Sequence, residues 1–140
     1  MTCRTTLVFA VLFLALSAVA QSDLKSKADA ATGGDKAKLA LDYTEQATKA
    51  ADKAFKDGKD DAGTASLRDI EQYAKVASDA AMESGKRTKE TEINLRKIVN
   101  HLVDIKNARP YDQQDAVQHT IDAVDTARNN LLEAMFKKNH

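Results

Sequence analysis

Leu95, Ile98, Leu102 and Ile105 recur at steps of three and four residues, a spacing that only a helix turns into one face. The same spacing recurs at Val117, Ile121, Val124, Leu131 and Met135. It appears again at Leu67, Ile70, Ala74, Ala77 and Ala81, and at Leu39, Tyr43, Ala50 and Ala54. No stretch alternates apolar and polar residues as a half-buried strand would, and proline occurs once, at Pro110. The chain beyond Gly34 is therefore predicted to be all-α.

Charge places the helix ends. Helices are predicted over 35–57, 60–85, 88–108 and 110–138. Each opens on acids: Asp35, then Asp60 and Asp61, then Glu90 and Glu92, then Asp112 and Asp115. Each closes on bases: Lys53 and Lys56, Lys86 and Arg87, Lys106 and Arg109, Lys137 and Lys138. That order complements the helix macrodipole, at about 0.3–1 kcal/mol per well-placed charge. Asp52–Lys56, Glu71–Lys75, Glu92–Arg96 and Glu133–Lys137 add pairs one turn apart in the favourable direction. Connections of a few residues imply antiparallel neighbours, so the predicted architecture is an antiparallel up-down four-helix bundle of two hairpins.

Upstream, "QSDLKSKADAATGG" (residues 21–34) is small and polar, and is predicted to be a flexible leader closed by Gly33 and Gly34. The segment Ala51 to Leu67 is similar to a tetratricopeptide-type helix–turn–helix. The alanine after its glycine stands one place off, however, and no second copy follows at the required period. Counting Leu, Ile, Val, Phe and Met, residues 91–140 carry 14 and residues 21–90 carry 8. The first hairpin thus relies on alanine, which buries little area, and is expected to be the weaker half.

Residues 1–20 have the layout of a secretory signal peptide. Arg4 supplies the positive start, "LVFAVLFLALSAVA" is an apolar run of 14 residues, and Ala18-Val19-Ala20 is a small-x-small cleavage pattern before Gln21. A bilayer span needs about 20 apolar residues. The protein is therefore expected to be exported, periplasmic or secreted, without stable membrane insertion after cleavage. The single cysteine, Cys3, leaves with this segment. Disulfides, thiol redox chemistry, C-x-x-C-H haem attachment and thiolate zinc sites leave with it. Without Arg4 the chain carries 20 basic and 21 acidic residues, with no run of like charge. Nucleic-acid binding needs a concentrated basic surface and is not expected.

"HLVDIKNARPYDQQDAVQH" (His101 to His119) poses the question of a metal site. Projected on their helices, His101 lies on the flank of its apolar stripe and His119 nearly opposite its own. The two imidazoles do not converge on one ion, and the segment is read as a helical hairpin turning at Pro110. No metal ligand, cofactor or catalytic residue is assigned: no serine stands in a G-x-S-x-G elbow and no glycine-rich loop cradles phosphate.

Two departures from the pattern are the functional leads. Arg128 falls inside the apolar stripe of the last helix, so its charge needs a partner, with Glu90, Asp79 and Glu83 as candidates. Leu41, Phe55, Ile93, Val103 and Phe136 fall off the stripes and are the candidate interaction residues. The function expected is non-catalytic binding of a protein or small ligand, by a monomer or weakly self-associating chain. The alternative is a haem or metal carrier of the periplasmic four-helix-bundle type. It would take ligands from His101, Met82, Met135 or His119, with His101 and Met135 as the one pairing the projection allows. Amphipathic-helix lipid binding, as in exchangeable lipid carriers, is a further alternative.

Overall fold

The computed structural model describes residues 21–139. They are all-helical, with no strand among them. Helix α1 covers residues 21–30, followed by α2 (Gly33–Lys56), α3 (Asp60–Ser84), α4 (Thr88–Asn107), a single 3-10 turn at Tyr111–Gln113, and α5 (Asp115–Lys137). None of these helices is long and apolar enough to cross a membrane.

Hydrogen bonds between side chains fix the directions. Tyr43 meets Asp69 and Glu92 meets Arg128, so α2 against α3, and α4 against α5, run antiparallel. Between the two hairpins the pairing is parallel. The links Asp52–His101, Asp60–Arg109, Glu71–Thr120 and Ser78–Ala127 each join residues 49 apart. One hairpin is therefore stacked on the other in a single register, α4 on α2 and α5 on α3. Successive helices alternate in direction, but the bundle is not a ring of antiparallel neighbours, as short loops alone suggested.

Residues 21–34 are not a flexible leader. Residues 21–30 are helical, Leu24 and Ala28 pack into the core from one side of that helix, and Ala28 is fully buried. The helix runs parallel to α3, held by Tyr73 Oη donating to Asp29 (2.7 Å) and by Lys25 reaching Asp69 (4.0 Å). The break that the paired glycines imply is real but short: Gly33, at φ +59°, turns the chain straight into α2. At the other junction Pro110 is extended, and α5 starts only after the 3-10 turn. The basic residues expected at the end of α3 also lie elsewhere. The helix stops at Ser84, leaving Lys86 and Arg87 in the turn beyond.

The largest correction concerns the core face of α2. The buried residues are Ala37, Ala40, Leu41, Tyr43, Thr44, Ala47, Thr48 and Ala51, whereas Leu39, Ala50 and Ala54 are only partly covered. The physical reason lies in the threonines. Thr44 donates to the carbonyl of Ala40 (2.7 Å) and Thr48 to that of Thr44 (2.8 Å). With the hydroxyl satisfied inside its own helix, the side chain packs as a methyl-bearing apolar group. Counting Thr44 and Thr48 as polar displaces the stripe toward Leu39 and makes Leu41 look misplaced. The α2–α3 pairing is also the most extensive in the molecule, because alanines at the contact let the backbones approach closely.

Large side chains from the second hairpin complete the core. Leu95, Ile98, Leu102 and Ile105 of α4 and Val117, Ile121, Val124 and Leu131 of α5 are all buried. Tyr43 and Tyr73 meet edge to face, with ring centres 4.6 Å apart. Burial and the neighbouring Asp69 and Asp29 carboxylates push both phenols well above their ordinary pKa. Among the described residues, the Thr91 hydroxyl is the one buried side-chain polar atom with no hydrogen-bond partner.

Truncating a core residue should separate cleanly from truncating a surface one. Leu41→Ala is expected to cost about 2–5 kcal/mol in chemical denaturation. Phe136→Ala should stay within about 0.5 kcal/mol of the parent. Thr91→Val removes an unpaired buried hydroxyl and should leave stability unchanged or raise it by up to about 1 kcal/mol. A loss above that range would show that the hydroxyl is satisfied after all.

Candidate functional site

The five off-stripe apolar residues do not form one surface. Leu41 is 1% exposed and belongs to the core. Ile93 is half-buried on α4, and Val103, on the same helix, is 37% exposed. Phe55 closes the far end of the molecule, where α2 turns into α3. Its ring lies beneath the Arg109 guanidinium, 3.9 Å from the ring centre, and covers Gly63 so closely that a Cβ there would strike it. Arg109 in turn donates to Gln113 and reaches Asp60, so it staples the two hairpin turns together. Phe136 stands at the opposite end, on the last turn of α5, and is 66% exposed.

Arg128 is paired, though not with the expected acids. Its Nε donates to Glu92 (2.9 Å) and its Nη1 to Asp125 (3.2 Å). Glu90 sits on the exposed side of α4 and accepts from Arg87 instead. Glu92 is buried and faces α5, two residues from Glu90 and therefore on another side of the helix. The hydrogen bond from Arg128 to Glu92 outweighs the cost of burial and holds the guanidinium even more firmly in its charged form. The cluster joins α4 to α5 and leaves little of Arg128 for a ligand.

The end that carries Phe136 is built differently. There α3 stops at Gly85, whose φ of +66° reverses the chain, and Arg87 follows at φ +59°, a conformation rare for any residue but glycine. The turn brings the last turn of α3, the first turn of α4 and the last turn of α5 together around an open cavity of about 170 Å³. Met82, Thr88, Ala134, Met135 and Lys138 line it around Gly85. The Lys138 ammonium lies against Gly85, 2.9 Å from where a Cβ would stand. It thereby covers the negative end of α3, the position that Lys86 and Arg87 were expected to fill. Lys137 pairs with Glu133 and Arg87 with Glu90, while Lys36, Lys86, Lys89 and Lys138 have no carboxylate partner among the described residues. The cavity is thus mixed in character: Met82, Ala134 and Met135 form its apolar part, and Thr88, Asn139 and the Lys138 cation its polar part. Methionine suits such a surface because its unbranched thioether repacks easily.

Neither histidine takes part. His101 faces α2, its Nε2 3.5 Å from Asp52, and His119 is exposed with Nδ1 3.1 Å from Glu71. Met135 lines the cavity beside Thr88, whereas His101 is thirteen residues further along α4, roughly 20 Å away at 1.5 Å per residue. The pairing of His101 with Met135 is therefore excluded by the antiparallel packing of α4 and α5. Among the described residues no three His, Cys, Asp or Glu side chains come together as a metal site would require. No family model matches the chain, and no curated protein or solved structure is significantly similar to it.

Lys138 was read from sequence only as a helix-end base; Met82 and Met135 were named only as ligands of the carrier alternative, and Met135 also as part of the core stripe. The usable signal was the pairing of a glycine turn at Gly85 with a bulky Phe136 on the solvent side of a helix end. The tyrosine–aspartate links were invisible, because separations of 26 and 44 residues follow from packing and not from any local pattern.

Two stability measurements test this arrangement. Glu92→Gln and Arg128→Met are each expected to cost about 1–3 kcal/mol. The double variant Glu92→Leu with Arg128→Met should cost much less than their sum. Asp52 reports on the contact between α2 and α4. Burial opposes its charge, but hydrogen bonds from Lys56 (2.8 Å) and His101 (3.5 Å) prevail and hold the carboxyl below the usual range. A lowered carboxyl pKa stabilises the fold above the unfolded value of about 3.9, and that contribution is lost as pH falls through the folded value. The stability gap between the parent and Asp52→Asn should therefore close below about pH 4. A gap unchanged down to pH 2 would contradict the assignment.

Proposed function

We propose that this chain is an exported, non-catalytic helical bundle of two hairpins that binds a protein partner through the Phe136 end. The observation that carries the reading is Phe136 itself. It is one of three large apolar side chains exposed among the described residues, with Val103 and Tyr111. Of the three, it alone stands on the helix turn that supplies Ala134 and Met135 to a cavity. Burying an exposed aromatic next to a deformable methionine pocket is how small interfaces gain most of their binding energy. Lys138 at the cavity favours a partner that presents an apolar side chain flanked by a carboxylate.

Export rests on the apolar run and the Ala18-Val19-Ala20 pattern before Gln21. The chemistry of the side chains supports a binding role over catalysis. The carboxylates that touch tyrosine, threonine or histidine do so across helix contacts: Asp29, Asp69, Glu71 and Asp52 each brace one helix on another.

A photo-crosslinking amino acid placed at Phe136, in cells that produce the protein, tests the reading. It should yield a discrete adduct that is absent when the crosslinker sits at Asp112, at the other end of the molecule. Met135→Asp should abolish the adduct while the protein keeps its helical circular dichroism. Equal adducts from both ends, or an adduct indifferent to Met135→Asp, would remove the proposed interface.

A further inference from the structure

We propose that Gln21, once exposed by cleavage after Ala20, closes into an N-terminal pyroglutamate. The inference rests on the export reading, because cleavage after Ala18-Val19-Ala20 is what gives Gln21 a free α-amine. The chemistry needs only the residue itself. The neutral α-amine attacks the side-chain amide carbon, Cδ, and a five-membered lactam forms. The bond from Cδ to Nε2 breaks, and one ammonia departs with a proton from the attacking nitrogen. No oxidant, reductant or second substrate enters.

The structure makes this end product a good first residue for α1. Cleavage after Ala20 would make Gln21 the first residue of that helix. The first four N–H groups of a helix have no carbonyl within it to bond, so tying up the α-nitrogen costs α1 no hydrogen bond. A ring through the first backbone nitrogen resembles proline at the first helical position, where proline is favoured. Charge argues the same way. A free α-ammonium would stand on the positive end of the macrodipole, and the nearby acid Asp23 is already paired with Lys27 (2.9 Å). The lactam is neutral.

This matters for α1 more than for the longer helices. After cleavage, the ten helical residues 21–30 are marginal as a helix on their own. It holds by Leu24 and Ala28 in the core, the Tyr73–Asp29 hydrogen bond and the contact of Lys25 with Asp69. Removing an unfavourable charge from its start secures the docked helix. It also removes the amine that an aminopeptidase would grip.

Intact mass and N-terminal sequencing of the protein recovered from an exporting host decide the matter. The expected mass is that of residues 21–140 less one ammonia, with sequencing blocked until a pyroglutamyl peptidase exposes Ser22, Asp23 and Leu24. Gln21→Leu supplies the control. It has no side-chain amide for the α-amine to attack, so this variant should keep its full mass and sequence freely from residue 21. Its α1 amides should exchange several-fold faster than those of the parent. A parent chain that still sequences from a free Gln21 after prolonged storage at neutral pH would overturn the inference and leave export standing. A chain that begins at Met1 or at any other residue would overturn the cleavage site itself. Loss of ammonia from Gln21→Leu would show that the reaction lies elsewhere in the molecule.

Discussion

The close approach of α2 and α3 is the constraint from which the rest of the molecule follows. Ala37, Ala40, Ala47 and Ala51 on one helix, with Ala74, Ala77 and Ala81 on the other, are all buried. Residues this small let two helix backbones come near enough for dispersion between the helices themselves to take over from side-chain burial. The cost is that the pair presents little greasy surface of its own. The leucines and isoleucines of α4 and the valines of α5 supply it, and the second hairpin is accordingly laid along the first. Threonine is tolerated at the same contacts because its hydroxyl is spent locally, Thr44 and Thr48 each on its own helix, while Ser78 spends its hydroxyl across on the Ala127 carbonyl of α5.

Much of this was legible in the sequence. The helical class and the buried faces of α3, α4 and α5 follow from apolar spacing, because Leu, Ile and Val leave no doubt about which side they prefer. The face of α2 was misread because threonine is scored by its hydroxyl, whereas inside a helix that hydroxyl has a partner one turn back. Helix α1 was missed for a related reason. A stretch of Ser, Lys, Asp and Ala reads as solvated chain, and its two anchors, Leu24 and Ala28, are too few to make a stripe. The order of helices around the bundle was beyond reach altogether. Short loops fix that successive helices are antiparallel, but they do not say which helix lies beside which.

The candidate site shows the same limit. Arg128 pairs with Glu92 and not with Glu90, because position on the helix circumference outranks nearness to a helix start. Phe136 stood out from its stripe and is exposed. What sequence could not supply was its company: Met82 arrives from α3, Thr88 from α4 and Lys138 from beyond α5. They meet only because the Gly85 turn folds the chain back over itself within three residues. The residues named with Phe136 dispersed for the opposite reason. Phe55 and Leu41 are needed where they are, one sealing a hairpin turn and the other filling the core.

The uniform separation of the residues that join the two hairpins has a kinetic meaning. Apart from the docking of α1 on α3, the remaining contacts are mainly between helices linked by a turn of a few residues, so they form by diffusion over a short length of chain. Docking one hairpin on the other is then a single encounter that closes one loop of fixed size, and every bridge between the two is made in that event. Loop closure costs grow only slowly with length, and chains dominated by near-neighbour contacts assemble fast. A polypeptide arranged this way spends little time with its alanine-rich and leucine-rich surfaces apart, which limits the interval during which they meet other molecules before each other.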